Sequence, residues 1–195
     1  MNSLEAYEKD IELQLIFLKS FTRQKTLSEK QQKVTLFSGS GDSLVSAMLA
    51  ESFSHGLTSA FDPLDLYKNT KFVKSKNVYF VSISGNTITN IKVAKIAKKS
   101  IAITSKSDSK LAKASDRFIL LSASNGDVFT AGSISFLESA LTCISLVSSI
   151  SIPKNTPLLS KAKDFAKKSI VSKKIFVLGT FFTYPLAMYC AAKFY

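Results

Sequence analysis

The sequence predicts an α/β protein, a three-layer α/β/α sandwich built on about five parallel strands. Two observations carry this. First, apolar runs of strand length alternate with longer runs of helix length from Val34 to Ile150. That is the pattern of a parallel sheet whose strands are buried on both faces. Second, two of the strand-like runs lead straight into short polar loops that open a helix. The loops are Gly39-Ser40-Gly41-Asp42-Ser43, after Val34–Phe37, and Ser82-Ile83-Ser84-Gly85-Asn86-Thr87, after Val78–Val81. In open parallel sheets, ligands bind beyond the carboxyl ends of the strands, where both loops fall.

In chain order, Leu4 to about Gln24 reads as an amphipathic helix with Leu4, Ile11, Leu15 and Leu18 on one side. Val34–Phe37 is the first strand, and Ser43–Ser54, with Leu44, Ala47, Met48 and Phe53, the helix after it. Thr58–Phe61 is a second strand, stopped by Asp62-Pro63. Val78–Val81 is the third, followed by a helix over Thr87–Lys98. Ile101–Thr104 and Phe118–Leu121 are the fourth and fifth, with a short helix near Ser109–Ala114 between them. A long helix follows at Ala131–Ile150. Ser151–Pro157 is turn-rich, carries two prolines and reads as a linker. Beyond it come a helix at Leu158–Ser169, a strand-like run at Lys174–Leu178, Gly179-Thr180 and an apolar helix at Pro185–Tyr195. This order of strand, glycine and helix repeats Val34–Ser54. The expected division is therefore 1–150 as one domain with its N-terminal helix, and 151–195 as a linker plus the beginning of a second, incomplete unit.

Composition narrows the function classes. A chain of 195 residues with 46% hydrophobic and 21% charged residues is globular rather than disordered. Cys143 and Cys190 lie in apolar segments without metal-ligand spacing, so buried free thiols in a reducing compartment are expected. The polar, partly acidic Met1–Asp10 is not a secretory signal, and the expected location is the cytoplasm. The net charge of +12 is spread along the chain. Lys92, Lys95 and Lys99 read as a solvated helix stripe opposite Ile88, Ile91 and Ala94, although such basicity also attracts anionic ligands. With no tryptophan, no zinc-finger spacing and no RNA-binding aromatic signature, nucleic acid is not an expected partner. Ala131–Ile150 has the length a bilayer requires, yet it holds Glu138, Thr142 and six serines; it reads as a core helix, and no membrane partner is expected. Nothing in the sequence asks for a metal or a cofactor.

The two loops suit an anion. A glycine lets the backbone approach closely, hydroxyls donate hydrogen bonds, and the first amides of a helix point outward without partners. A phosphate carried on a small molecule is the ligand that this chemistry fits. The alternative is that the serines merely cap the helices that follow.

The loops, in this order and spacing, resemble those of the sugar isomerase (SIS) domain family. Ser82-Ile83-Ser84-Gly85-Asn86-Thr87 is similar to that family's second phosphate loop, and Gly39–Ser43 to its first. Ile101–Ser105 followed by Ser109-Lys110-Leu111-Ala112 and Ala114-Ser115-Asp116 resembles the segment that comes next. Leu178-Gly179-Thr180, Tyr184-Pro185-Leu186-Ala187 and Ala191-Ala192-Lys193 look like the opening of the second domain in two-domain members, such as the phosphoglucose/phosphomannose isomerases and the isomerase part of glucosamine-6-phosphate synthases. The resemblance implies a flavodoxin-like SIS fold and a sugar-phosphate ligand. It implies that Ser43, Ser82, Ser84 and Thr87 contact the phosphate, with Gly41, Gly85 and Asn86 letting the backbone approach it. It also implies aldose–ketose isomerisation of a hexose or amino-hexose phosphate, or a module that senses such a ligand without chemistry.

Isomerisation needs a positioned base. His55 is the only histidine and is expected to cap or face solvent, and Glu51 to lie at the surface. Glu138 is a lone carboxylate in an apolar helix, where burial favours a base. Gly132–Glu138 loosely resembles a segment of the single-domain hexulose-phosphate isomerases, with the glutamate out of register, and makes Glu138 the candidate catalytic residue. The Pro-Arg pair that phosphoglucose/phosphomannose isomerases carry nearby is absent from Val128-Phe129-Thr130. The apolar helices Ala131–Ile150 and Pro185–Tyr195 predict a homodimer, or pairing with a second SIS domain.

Overall fold

The computed structural model describes residues 3–122, 132–152, 157–169 and 174–194. Its elements are α1 (Ser3–Ser20), α2 (Glu29–Gln32), β1 (Thr35–Ser38), α3 (Asp42–Phe53), β2 (Ser59–Phe61), α4 (Pro63–Lys68), α5 (Thr70–Val73), β3 (Asn77–Val81), α6 (Ile88–Ala94), β4 (Lys99–Thr104), α7 (Lys110–Ala114), β5 (Arg117–Leu120), α8 (Ser133–Val147), α9 (Leu158–Lys168) and α10 (Tyr184–Ala192). The strands form one parallel sheet in the order β2-β1-β3-β4-β5. The chain steps from β1 outward to β2, then returns past β1 to β3. The β1–β3 boundary is therefore the topological switch point, and the loops after β1 and β3 both open there.

Side-chain alternation along the strands builds a core on each face. Leu36, Val78, Phe80 and Ala102 pack with Leu66, Val73, Val93 and Leu111 under α4–α7. Phe37, Val81 and Ile103 pack with Ala47, Ala50, Cys143, Leu146 and Val147 under α3 and α8. Phe37 and Phe80 are wholly buried, each contributing about 1.5–3 kcal/mol relative to an exposed position. Burial pushes the Cys143 thiol pKa far up, so this cysteine is an inert core residue.

Several elements differ from the sequence reading. Asp62-Pro63 stops β2 but also starts α4: the Asp62 carboxylate accepts the Leu64 N–H at 2.8 Å, and Pro63 occupies the first turn. α6 ends at Ala94, so Lys99 belongs to β4 and not to a helical stripe, and Ile88 faces solvent. Cys190 is exposed rather than buried. Residues 174–180 form no strand, because the run Lys174–Leu178 finds no neighbouring strand to pair with among the described residues, and Leu178 is 91% exposed. α8 is not an exposed apolar face; it is buried within the chain against α3 and α1.

α1 is fixed to α8 by a buried polar contact. The Asp10 carboxylate accepts hydrogen bonds from the Ser133 hydroxyl and from the Ile134 N–H at 3.1 Å. An acid at the first turn of a 15-residue helix is favoured by the helix dipole, which offsets part of the cost of burying Asp10. α10 packs on α3; in the turn just before it Phe182 meets Phe53 of α3 at 4.9 Å between ring centroids, and Tyr189 stacks on Phe136 of α8 at 3.7 Å. Among the described residues no helix is long and apolar enough to cross a membrane.

Candidate functional site

Both glycine loops depend on glycine where they turn. A Cβ on Gly39 would sit 2.6 Å from the backbone of Ser43, so only glycine lets the chain fold back onto the first turn of α3. Gly41 stands before α3 with φ of 58° and open space around it. In the second loop Gly85 has φ of 62°, and a Cβ there would lie 2.2 Å from the Ser109 hydroxyl oxygen. The loop is clamped from below by β4. The Ile83 carbonyl accepts from the Thr104 hydroxyl at 3.0 Å, the Ser105 hydroxyl at 2.8 Å and the Ser105 N–H at 3.1 Å. The Gly85 carbonyl accepts the Leu111 N–H at 2.9 Å.

This scaffold leaves donors open. Among the described residues the amides of Ser40, Gly41 and Asp42 make no hydrogen bond, nor do those of Ser84, Thr87 and Ile88. Neither helix takes a side-chain cap from its loop: Gly41 has no side chain, and the Thr87 hydroxyl caps nothing. The Thr87 hydroxyl instead lies 3.2 Å from that of Ser82, which is buried. Ser84 is exposed and its oxygen accepts only a long 3.4 Å contact from the Asn86 N–H. Ser43 is half-buried on the first turn of α3, and Asn86 is exposed. Capping therefore does not account for these hydroxyls. The first loop has one acid, Asp42, and the ammonium of Lys193, at the C-terminal cap of α10, neutralises it at 2.7 Å.

The candidate base lies at the carboxyl end of β5, on the same edge of the sheet as the two loops and two strands away from β3. Glu138 on α8 is 5% exposed, and its Oε1 accepts the Ser122 N–H at 2.7 Å and the Ser122 hydroxyl at 2.9 Å. The carboxylate thus anchors the chain where it leaves β5. His55 is exposed, beside the rings of Phe181 and Phe182. Glu51 is half-buried, and burial raises its pKa. Val128-Phe129-Thr130 lies outside the described residues. No cluster of metal-ligating side chains occurs among the described residues. The link from Lys193 to Asp42, across 151 positions, was not legible in sequence.

Three solved structures share this architecture. The C-terminal domain of glucosamine-fructose-6-phosphate aminotransferase from Francisella tularensis aligns over 85% of this chain at 16% identity and a TM-score of 0.56. Glucosamine-6-phosphate deaminase from Thermotoga maritima aligns over 72% at 24% identity and 0.55. A proposed sugar-phosphate isomerase from Listeria monocytogenes aligns over 74% at 20% identity and 0.54. The chain has the sugar isomerase domain fold. It spans 89% of the Listeria protein, but only 52% and 47% of the Francisella and Thermotoga chains. No protein-family model matches the sequence, and no curated protein does.

Proposed function

We propose that this SIS-fold chain binds a hexose or amino-hexose phosphate, with the phosphate between Gly39–Ser43 and Ser82–Thr87. One observation carries the reading: at the switch point of the sheet, two glycine loops offer amides that are unpaired among the described residues, and hydroxyls whose contacts stay within the second loop, Ser82 with Thr87 and Ser84 with the Asn86 N–H. Gly41 and Gly85 let the backbone approach the phosphate beside Asn86. Ser43, Ser82, Ser84 and Thr87 supply hydroxyl donors, which are strongest toward a charged acceptor. Sugar phosphates are named in all three of the structures compared above, which supports this ligand class.

Two readings of the chemistry follow. In the first the chain is an aldose–ketose isomerase with Glu138 as the base. In the second it senses the ligand without chemistry. The Ser122 hydrogen bonds favour the second, since they give Glu138 a structural role that accounts for a buried carboxylate without chemistry. A thermal-shift screen with hexose, pentose and amino-sugar phosphates tests binding, and an isomerisation assay on each hit separates the readings. A ligand at a hundred times its Kd adds about 2.7 kcal/mol of stability. No shift with any sugar phosphate defeats the proposal. Turnover by the parent protein, abolished in Glu138→Gln, selects the isomerase.

A further inference from the structure

The amino-terminal edge of the sheet holds a recess, opposite the edge that carries the two loops. Its volume is about 350 Å³, within the range of small-ligand sites. The strand lengths put it about 15–20 Å from the loops. The floor comes from the first residues of four parallel strands, among them Thr35, Asn77, Lys99 and Arg117. One wall is the strap Gln24–Leu27, and this strap is built in. Its Gln24 N–H donates to the Ser145 hydroxyl at 3.1 Å, its Thr26 hydroxyl to the Ser145 carbonyl at 3.0 Å, and its Leu27 N–H to the Leu146 carbonyl at 2.8 Å. Gln32 ties the strap to α8 as well, donating to the Leu27 carbonyl at 2.9 Å and the Val147 carbonyl at 3.0 Å.

The lining has one sign of charge. Lys25, Lys99 and Arg117 line it, and no aspartate or glutamate does. Among the described residues none of the three forms a salt bridge. Asp116 feels Lys99, but its Oδ2 is committed to the Ser100 N–H at 2.7 Å and the Ser100 hydroxyl at 3.0 Å. Tyr79 also lines the recess; its ring is held against Phe37 at 5.2 Å, and its hydroxyl makes no hydrogen bond among the described residues. Lys25, Lys99 and Arg117 are exposed and solvated, and three cations without an acid beside a phenol and amide donors raise a local positive potential that attracts an anion. A recess backed by Ile101 and Leu146 also favours a compact guest over an extended polymer.

We propose that this recess binds a small multivalent anion, a phosphomonoester or a di- or tricarboxylate, held by Lys25, Lys99 and Arg117. The inference is independent of the reading of the two loops. Calorimetry at low salt with inorganic phosphate, adenosine monophosphate and citrate tests it and separates the two sources of charge. The parent protein binds at least one of them. Lys99→Gln/Arg117→Gln weakens that binding at least tenfold, Lys25→Gln weakens it several-fold, and Arg117→Lys retains most of it. In the Ser84→Ala/Thr87→Ala background, which weakens phosphate at the two loops, the recess still binds the anion. Lys25 lies on the strap and outside every strand, so its variant reports on the recess without disturbing the sheet. The proposal is overturned if the parent binds none of the three anions. It is also overturned if binding is lost in Ser84→Ala/Thr87→Ala and kept in Lys99→Gln/Arg117→Gln, or if short duplex DNA displaces the anion at equal phosphate concentration.

Discussion

Replacing Gly85 with alanine probes the second loop at its tightest point. The left-handed backbone at φ of 62° costs an alanine about 1–2 kcal/mol. The new Cβ would overlap Ser109, 2.2 Å from its hydroxyl oxygen and 2.4 Å from its Cβ, so Ser109 must move. Ser109 caps α7 by accepting the Ala112 N–H at 3.2 Å, and losing a serine cap costs about 1 kcal/mol. The sum is about 2–3 kcal/mol. In a chain of this size each kcal/mol moves Tm by about 2–4 °C, so Gly85→Ala lowers Tm by at least about 4 °C. The loop also shifts, and sugar-phosphate binding weakens with it. Adding Ser109→Gly tests the cause. Glycine at a cap costs only a few tenths of a kcal/mol, and it removes the overlap. The double variant is therefore more stable than Gly85→Ala alone, a non-additivity that a double-mutant cycle by thermal denaturation reads directly. An unchanged Tm for Gly85→Ala, or strictly additive effects, refutes the reasoning.

Three other outcomes are expected. Glu138→Ala removes the acceptor for both Ser122 hydrogen bonds and lowers stability by about 1.5–3 kcal/mol, whereas Glu138→Gln keeps a carbonyl there and loses less than half as much in urea denaturation. The Ser100 N–H and hydroxyl hold the Asp116 carboxyl below its usual range, so its stabilising contribution is present above the ordinary aspartate pKa and is lost as pH falls through the lowered one. The stability gap between the parent and Asp116→Asn, measured by urea denaturation, accordingly closes on acidification. Phe176 and Leu178, 83% and 91% exposed, together with the exposed Phe181 and Phe194, favour pairing with a second copy. Light scattering at micromolar concentration then gives a dimer, and a monomer contradicts that expectation.

The strands were legible because each contains a short apolar run, buried on both faces in the inner strand β1 and more open in the edge strands β2 and β5. The loops were legible because their glycines and hydroxyls are contiguous. What was missed depends on contacts that no local pattern carries. Asp62-Pro63 signals a stop and a helix start with the same two residues, and only the first was read. The lysines at 92, 95 and 99 keep a helical period past the end of α6, which hides the turn into β4. Lys174–Leu178 is as apolar as a strand, but a strand exists only where a neighbour pairs with it. Glu138 was singled out by its isolation among apolar residues, and its partner Ser122 lies 16 positions away. The basic recess is assembled from four strands and a strap, so no single segment of the sequence announces it.

The central claim is a phosphate held between the loops after β1 and β3. Calorimetry with glucose 6-phosphate, fructose 6-phosphate and glucosamine 6-phosphate, on the parent protein and on Ser84→Ala/Thr87→Ala, tests it most directly. Each lost hydroxyl removes a hydrogen bond to a charged acceptor, roughly 1.5–3 kcal/mol. Water recovers part of that, and at tenfold per 1.4 kcal/mol the expected loss of affinity is about 30- to 1000-fold. The fold survives, because the Ser84 oxygen has only the long contact to Asn86 and the Thr87 hydroxyl only its contact to Ser82. Equal affinity in the parent and the double variant for any of the three sugar phosphates contradicts the account.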